Sequence, residues 1–192
     1  MTVQKTMPEQ ILDCARTLII QGGYNAFSYA DIAERVGIRK ASIHHHFATK
    51  EELVRVLAAR YRAAAQAGLV ALEQQVVDAP AQLESYAGYW RRCIEDQSAP
   101  MCLCALRARE MPDLPESSAL EVRAHFRALS AWLAAALERG AKAGTLRFAQ
   151  PAAVEAEAFM AAIHGAMLSA RAYGEPQAFG VISQALLTRL AP

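Results

Sequence analysis

The sequence predicts an all-α chain, and three observations carry that prediction. Ala, Leu, Glu, Gln and Arg dominate, and the alternation of β-branched and polar residues that marks a half-buried strand is missing. Apolar side chains recur at three- and four-residue intervals, the period of an amphipathic helix. Prolines fall at the starts of these segments and several glycines at their ends, where each type begins or stops a helix.

Taken in order, the first helix is expected from about Pro8 to Gln21, ended by Gly22-Gly23. Its stripe of Ile11, Leu12, Ala15, Leu18 and Ile19 faces inward with Tyr24 and Phe27. Ser28, with Asp31 three residues on, is a helix-start signature: a side-chain oxygen over orphan amides and an acid near the positive helix end. Ile32, Ala33 and Val36 share one face of the helix that follows. Gly37 sits where that helix must stop, since a residue without Cβ takes positive φ cheaply. Ile38 re-enters the core, and Ile43 and Phe47 give a third short helix its buried side. A fourth begins at Lys50 and runs to about Val77, long enough to join a small head to a body and to act as a rigid lever between them. Pro80 opens the next helix, carrying Leu83, Tyr86, Tyr89, Trp90 and Ile94. A break at Ser98-Ala99-Pro100 precedes a short helix from Cys102 to Met111, stopped by Pro112 and Pro115. Long helices then run from Glu116 to Ala143, from Pro151 to Tyr173 and from Pro176 to about Leu190. The count is nine, three in a head of residues 1–50 and six in a body of residues 51–192.

The chain has 192 residues, 54% of them apolar, which is ample for a core, and a formal net charge of +1. Bulk charge therefore supplies no general attraction to nucleic acid. Within residues 1–50, however, Lys5, Arg16, Arg35, Arg39, Lys40 and Lys50 outnumber Glu9, Asp13, Asp31 and Glu34 by two. No signal peptide is visible, and the longest uncharged apolar run, Ala158 to Ala170, is too short to span a bilayer. A cytoplasmic location, without membrane association, is expected, with the cysteines as thiols. Gly-rich phosphate loops, nucleophile elbows and paired-histidine metal helices are all missing, so the chain is read as no enzyme, with no cofactor and no metal.

The segment from Ser28 to Lys50 reads as a helix-turn-helix. Arg39, Lys40, Ala41, Ser42, His45 and His46 fall mostly on faces turned from the core, and a short helix with basic and hydroxyl residues at its exposed N-terminal end suits the major groove. Ser28, Asp31-Ile32-Ala33, Val36-Gly37-Ile38, Ser42-Ile43, His46-Phe47 and Lys50-Glu51 with Leu53 together resemble the DNA-binding end of the TetR/AcrR family of bacterial one-component repressors. The chain departs from that pattern at Arg39, where a small cap is usual, at Ala41, usually Gly, and at His44, usually Tyr. The resemblance implies a nine-helix TetR-like fold with a three-helix DNA-binding head and a six-helix ligand-binding and dimerisation body. It also implies a homodimer through the last two helices, a near-palindromic double-stranded operator and a small-molecule effector.

Base-edge contacts are expected from Arg39, Lys40, Ser42 and His45, and phosphate contacts from Ser28, Tyr29, His44, His46 and Lys50. Neighbouring histidines on a helix point about 100° apart, so His44, His45 and His46 do not converge on one ion. The effector is expected among Tyr86, Tyr89, Trp90, Cys102, Phe126, Phe159 and His164, each of which also reads as ordinary core. Cys102 and Cys104 are redox candidates under two readings: buried thiols packing as small apolar groups, or a sensing thiol whose pKa Arg107 and Arg109 lower. The run Met-Cys-Leu before Glu110 is similar to one in a TetR subgroup that senses electrophiles through a cysteine at the position of Cys102. The function expected is a ligand-responsive DNA-binding regulator, most simply a repressor released by a small apolar effector or by cysteine modification. A helical protein-interaction module without specific DNA binding is the alternative.

Overall fold

The computed structural model describes residues 5–192. Among them nine α-helices follow one another: α1 (Met7–Gly22), α2 (Tyr29–Val36), α3 (Lys40–His46), α4 (Lys50–Gln75), α5 (Ala79–Glu95), α6 (Leu103–Ala108), α7 (Glu116–Ala143), α8 (Ala152–Tyr173) and α9 (Gln177–Arg189). Tight 3-10 turns occupy Tyr24–Ala26 and Met111–Asp113. The all-α expectation holds. The largest departure in helix ends is α6, which stops at Ala108 instead of reaching Met111. Here Glu110 N–H bonds Arg107 O at 2.9 Å and Asp113 N–H bonds Glu110 O at 2.9 Å, so the chain tightens into three-residue turns. Pro112 explains it, since it lacks an N–H and disfavours α geometry at Met111.

The chain divides into two compact units, one of residues up to Ala63 with Leu103–Ala124, the other of Ala64–Cys102 with His125–Pro192. The first unit contains α1, α2, α3, the first part of α4, α6 and the opening of α7. Ile11, Ile32, Ile43 and Leu53 form its centre with no exposed surface, and Leu103 of α6 joins the same cluster. Burying five such side chains contributes roughly 10 kcal/mol as an upper figure, which lets three short helices hold a fixed arrangement. Pairs between Arg60 and Glu9 and between Arg62 and Glu121 lie around this core.

The second unit packs α5, most of α7, α8 and α9 about Leu83, Leu133, Leu137, Phe159, Ile163 and Phe179. Asp78 caps α5 by accepting from the Ala81 N–H at 3.0 Å. The turn after α7 folds back tightly: a Cβ at Gly140 would stand 2.4 Å from Leu146 Cδ1, so only glycine admits that contact. Arg147 N–H then bonds the Leu190 carbonyl at 2.8 Å, fixing the end of α9. No helix among the described residues is long and apolar enough to cross a membrane.

Candidate functional site

Local chemistry sets the position of α3. Asp31 Oδ2 accepts from the Ser28 N–H at 2.6 Å and from its hydroxyl at 2.7 Å, while Ser28 Oγ accepts from the Ala30 N–H at 3.2 Å. This reciprocal cap fixes the start of α2, and the bonds from Ser28 hold the Asp31 carboxyl below its ordinary range. At the other end Gly37 adopts φ 75° and ψ 35°, and the N–H groups of Gly37 and Ile38 both reach the Ala33 carbonyl at 3.0 Å. The chain then turns into α3, whose Ile43 is wholly buried, with Phe47 behind it.

That anchoring leaves Arg39, Lys40, Ala41, His44 and His45 exposed and Ser42 and His46 half-buried, on the faces the sequence assigns to DNA. Arg39 stands just before the helix in extended conformation. His44 is partly engaged: its Nδ1 lies 3.2 Å from the Ala48 carbonyl and its ring meets Tyr29 at 4.8 Å between centroids. His45 and His46 touch edge to face at 5.2 Å. Ser28 stays exposed in its cap.

Two expected phosphate contacts take a different place. Tyr29 is buried, and its hydroxyl donates to the Phe47 carbonyl at 2.9 Å, with burial pushing the phenol up to about 12. Lys50 turns inward: its ammonium donates to the Phe27 carbonyl and lies over the rings of Phe27, at 4.2 Å, and Tyr24, at 4.6 Å. Burial, with the Arg107 charge adding to it, lowers the Lys50 pKa. Both side chains therefore brace the turns around α3, because a buried carbonyl needs a donor more than the surface needs another cation.

Arg107, expected beside a thiol, feels the Cys104 thiol and is also held by a carboxylate. Its guanidinium is 1% exposed, pairs with Glu110 at 2.8 Å and stacks on Tyr24 at 4.9 Å, while Arg109 is exposed. The other Glu110 oxygen accepts from the Tyr24 N–H at 3.0 Å. A Cβ on Gly23, where φ is 88°, would come within 2.4 Å of that oxygen, so glycine is required for the carboxylate to approach.

In the second unit, Tyr86, Trp90, Cys102, Phe159 and His164 are buried and Phe126 is half-buried. Tyr89 is 49% exposed and rests its ring against Trp90, so it faces outward rather than lining the interior. Cys102 Sγ lies 3.8 Å from His125 Nε2, a buried neighbour the sequence reading missed. His125 shares a helical stripe with Leu129 and Trp132, which was the available signal. Cys104 is buried in the first unit. A cleft of about 330 Å³ opens separately between α5 and α9, lined by Ser85, Arg91, Arg92 and Ser183 among others.

An all-helical chain with a capped helix-turn-helix at one end and a helical unit at the other defines a class of DNA-binding regulator. Residues 11–57 match the family model for bacterial regulatory proteins of the tetR family, and residues 79–186 match the tetracyclin repressor-like C-terminal domain. The chain belongs to the TetR family of transcriptional regulators. A solved TetR-family regulator from Agrobacterium tumefaciens is 55% identical, with a TM-score of 0.94 over 96% of this chain and 97% of that one. The HTH-type transcriptional repressor KstR2 of Mycolicibacterium smegmatis is 29% identical over 119 residues, 60% of this chain and 56% of the relative, so the chain spans about half that relative's length. The reduced form of Escherichia coli NemR shares the fold at 21% identity, with a TM-score of 0.82 over 97% of this chain and 98% of that one.

Proposed function

We propose that the protein is a homodimeric repressor that leaves a near-palindromic operator when its C-terminal unit takes up a small apolar effector or is modified at Cys102. The observation that carries this reading is the exposed basic end of α3, held by the Ser28–Asp31 cap and the Gly37 turn on a fully buried hydrophobic face. Arg39, Lys40, Ser42 and His45 read base edges, and Ser28, His44 and His46 meet phosphates. Tyr29 and Lys50 set the angle of the helix from inside. Leu168 on α8 and Val181 on α9 are 54% and 70% exposed, an apolar surface that a second copy covers. Two-fold pairing presents two recognition helices, so half-sites lie about one helical turn or a multiple apart. The effector must bind the two states with different affinity to shift them. At Cys102, His125 is placed to accept the thiol proton as the sulfur bonds a soft electrophile.

The test is binding to DNA upstream of the gene across a salt series, with and without a thiol-reactive maleimide. Specific binding that weakens steeply with salt, and is lost on modification of the wild type but not of Cys102→Ser, supports the whole reading. Binding indifferent to the maleimide removes the thiol switch and keeps the repressor. Failure to bind any nearby DNA specifically removes repression and leaves a helical interaction module.

A further inference from the structure

Buried polar atoms without partners are rare in folded proteins, and each exception asks for a reason. Three lie in the C-terminal unit: the indole nitrogens of Trp90 and Trp132 and Nε2 of His164, on side chains 6%, 9% and 9% exposed. Ring contacts place them in two groups. Tyr86 and Trp90 are four apart on α5, and the Tyr86 ring meets Trp132 of α7 at 5.8 Å. Phe126 of α7 meets His164 of α8 at 5.3 Å. The Trp90 N–H approaches the Tyr86 hydroxyl without completing a hydrogen bond. Trp132 and His164 are thus the clearest unanswered groups.

From these groups we propose the chemical class of the effector: an uncharged, planar molecule carrying hydrogen-bond-accepting oxygens, seated between Trp132 and His164. The inference rests on the reading that this unit binds an effector. An indole nitrogen only donates, so the ligand must accept. His164 adapts, because a neutral imidazole offers one donor and one acceptor, and burial holds its pKa down to about 4. Among the described residues of this unit no Asp, Glu, Lys or Arg side chain is buried, so a charged ligand would lose its hydration without gaining a counter-ion. Tyr86 stands against Trp132 and Phe126 against His164, and stacking on such rings favours a flat guest.

The experiment is calorimetric titration of the full chain with three probes of one size: coumarin, neutral with acceptor oxygens; naphthalene, neutral without them; and 2-naphthoate, an anion. Coumarin is expected to bind about tenfold or more tighter than either of the others. Trp132→Phe and His164→Leu should each weaken coumarin about tenfold and leave naphthalene within about twofold, a split that general loosening of the core does not produce. Equal binding of coumarin and naphthalene, or equal loss of both in the variants, overturns the hydrogen-bonding argument. Tighter binding of 2-naphthoate, with release of operator DNA, overturns the class and keeps the effector site. If none of the three binds, the class and the effector reading both fall.

Discussion

Glu110 neutralises a buried arginine. Its carboxylate faces Arg107, whose side chain is 1% exposed, at 2.8 Å, and also holds the Tyr24 N–H at 3.0 Å. One guanidinium nitrogen of Arg107 has no partner at all, and the Lys50 ammonium lies over the same Tyr24 ring. Glu110 therefore neutralises Arg107 directly and, together with Asp31, supports the charge on Lys50. Burial disfavours the charge on Arg107, and Glu110 is the main influence working against that. Removing one partner of a buried pair costs about 3–5 kcal/mol, because the other charge stays buried and uncompensated. Glu110 is itself 18% exposed, which points to the lower end, about 3 kcal/mol for Glu110→Gln. Gln can keep the bond to the Tyr24 N–H, whereas Glu110→Ala also loses it and should cost about 1 kcal/mol more. Replacing both partners in Arg107→Met/Glu110→Gln removes the stranded charge and should restore most of the loss. Urea unfolding at fixed protein concentration, read as the midpoint at constant slope, measures all three. The losses should change little with salt, since the pair is shielded from solvent. A cost below about 1 kcal/mol for Glu110→Gln, or a double variant no more stable than that single one, would refute the reasoning.

Three further outcomes follow from the same structure. The Asp31 carboxyl is held below its ordinary value of 3.8 by its bonds to Ser28, so its contribution is complete above 3.8 and disappears as pH falls through the lower folded value. Asp31→Asn should trail the wild type at neutral pH and converge with it in acid; a gap that stays constant with pH counts against the cap. His164 is depressed from 6.5 to about 4 by burial, so the unfolded chain takes up that proton first as pH falls. Stability should then decline between those values by up to about 1.4 kcal/mol per pH unit, and His164→Leu should flatten that decline. An unchanged slope would mean that His164 is not buried neutral. Leu168→Asp with Val181→Glu should shift the dimer to monomer in sedimentation and weaken operator binding; a dimer that persists would put the interface elsewhere.

Where short-range chemistry decides, the sequence was legible. Ser28 with Asp31 marked a helix start, Gly37 marked its end, and both ends of α2 stand within a residue of that reading. The spacing of Ile43 and Phe47 set which side of α3 is buried, and so which side stays exposed. Lys50 and Tyr29 were harder because a long or amphipathic side chain has two outlets within reach, solvent or a nearby carbonyl. Only the tertiary position of the Phe27 and Phe47 carbonyls decides between them. Arg107 poses the same problem on a larger scale. Its charge acts on Cys104, but its closest partners are Glu110, three residues on, and Tyr24, from a turn more than eighty positions earlier. Local charge spacing suggested an arginine near a thiol, and Arg107 does feel the Cys104 thiol; the need to neutralise a buried cation pairs it with a carboxylate as well. The thiol's neighbour, His125, came from α7, visible beforehand only as one position on an apolar stripe. Helix ends and buried faces are written in neighbours three and four residues apart, whereas a side chain with a charged or polar tip is directed by whichever distant group is left unpaired.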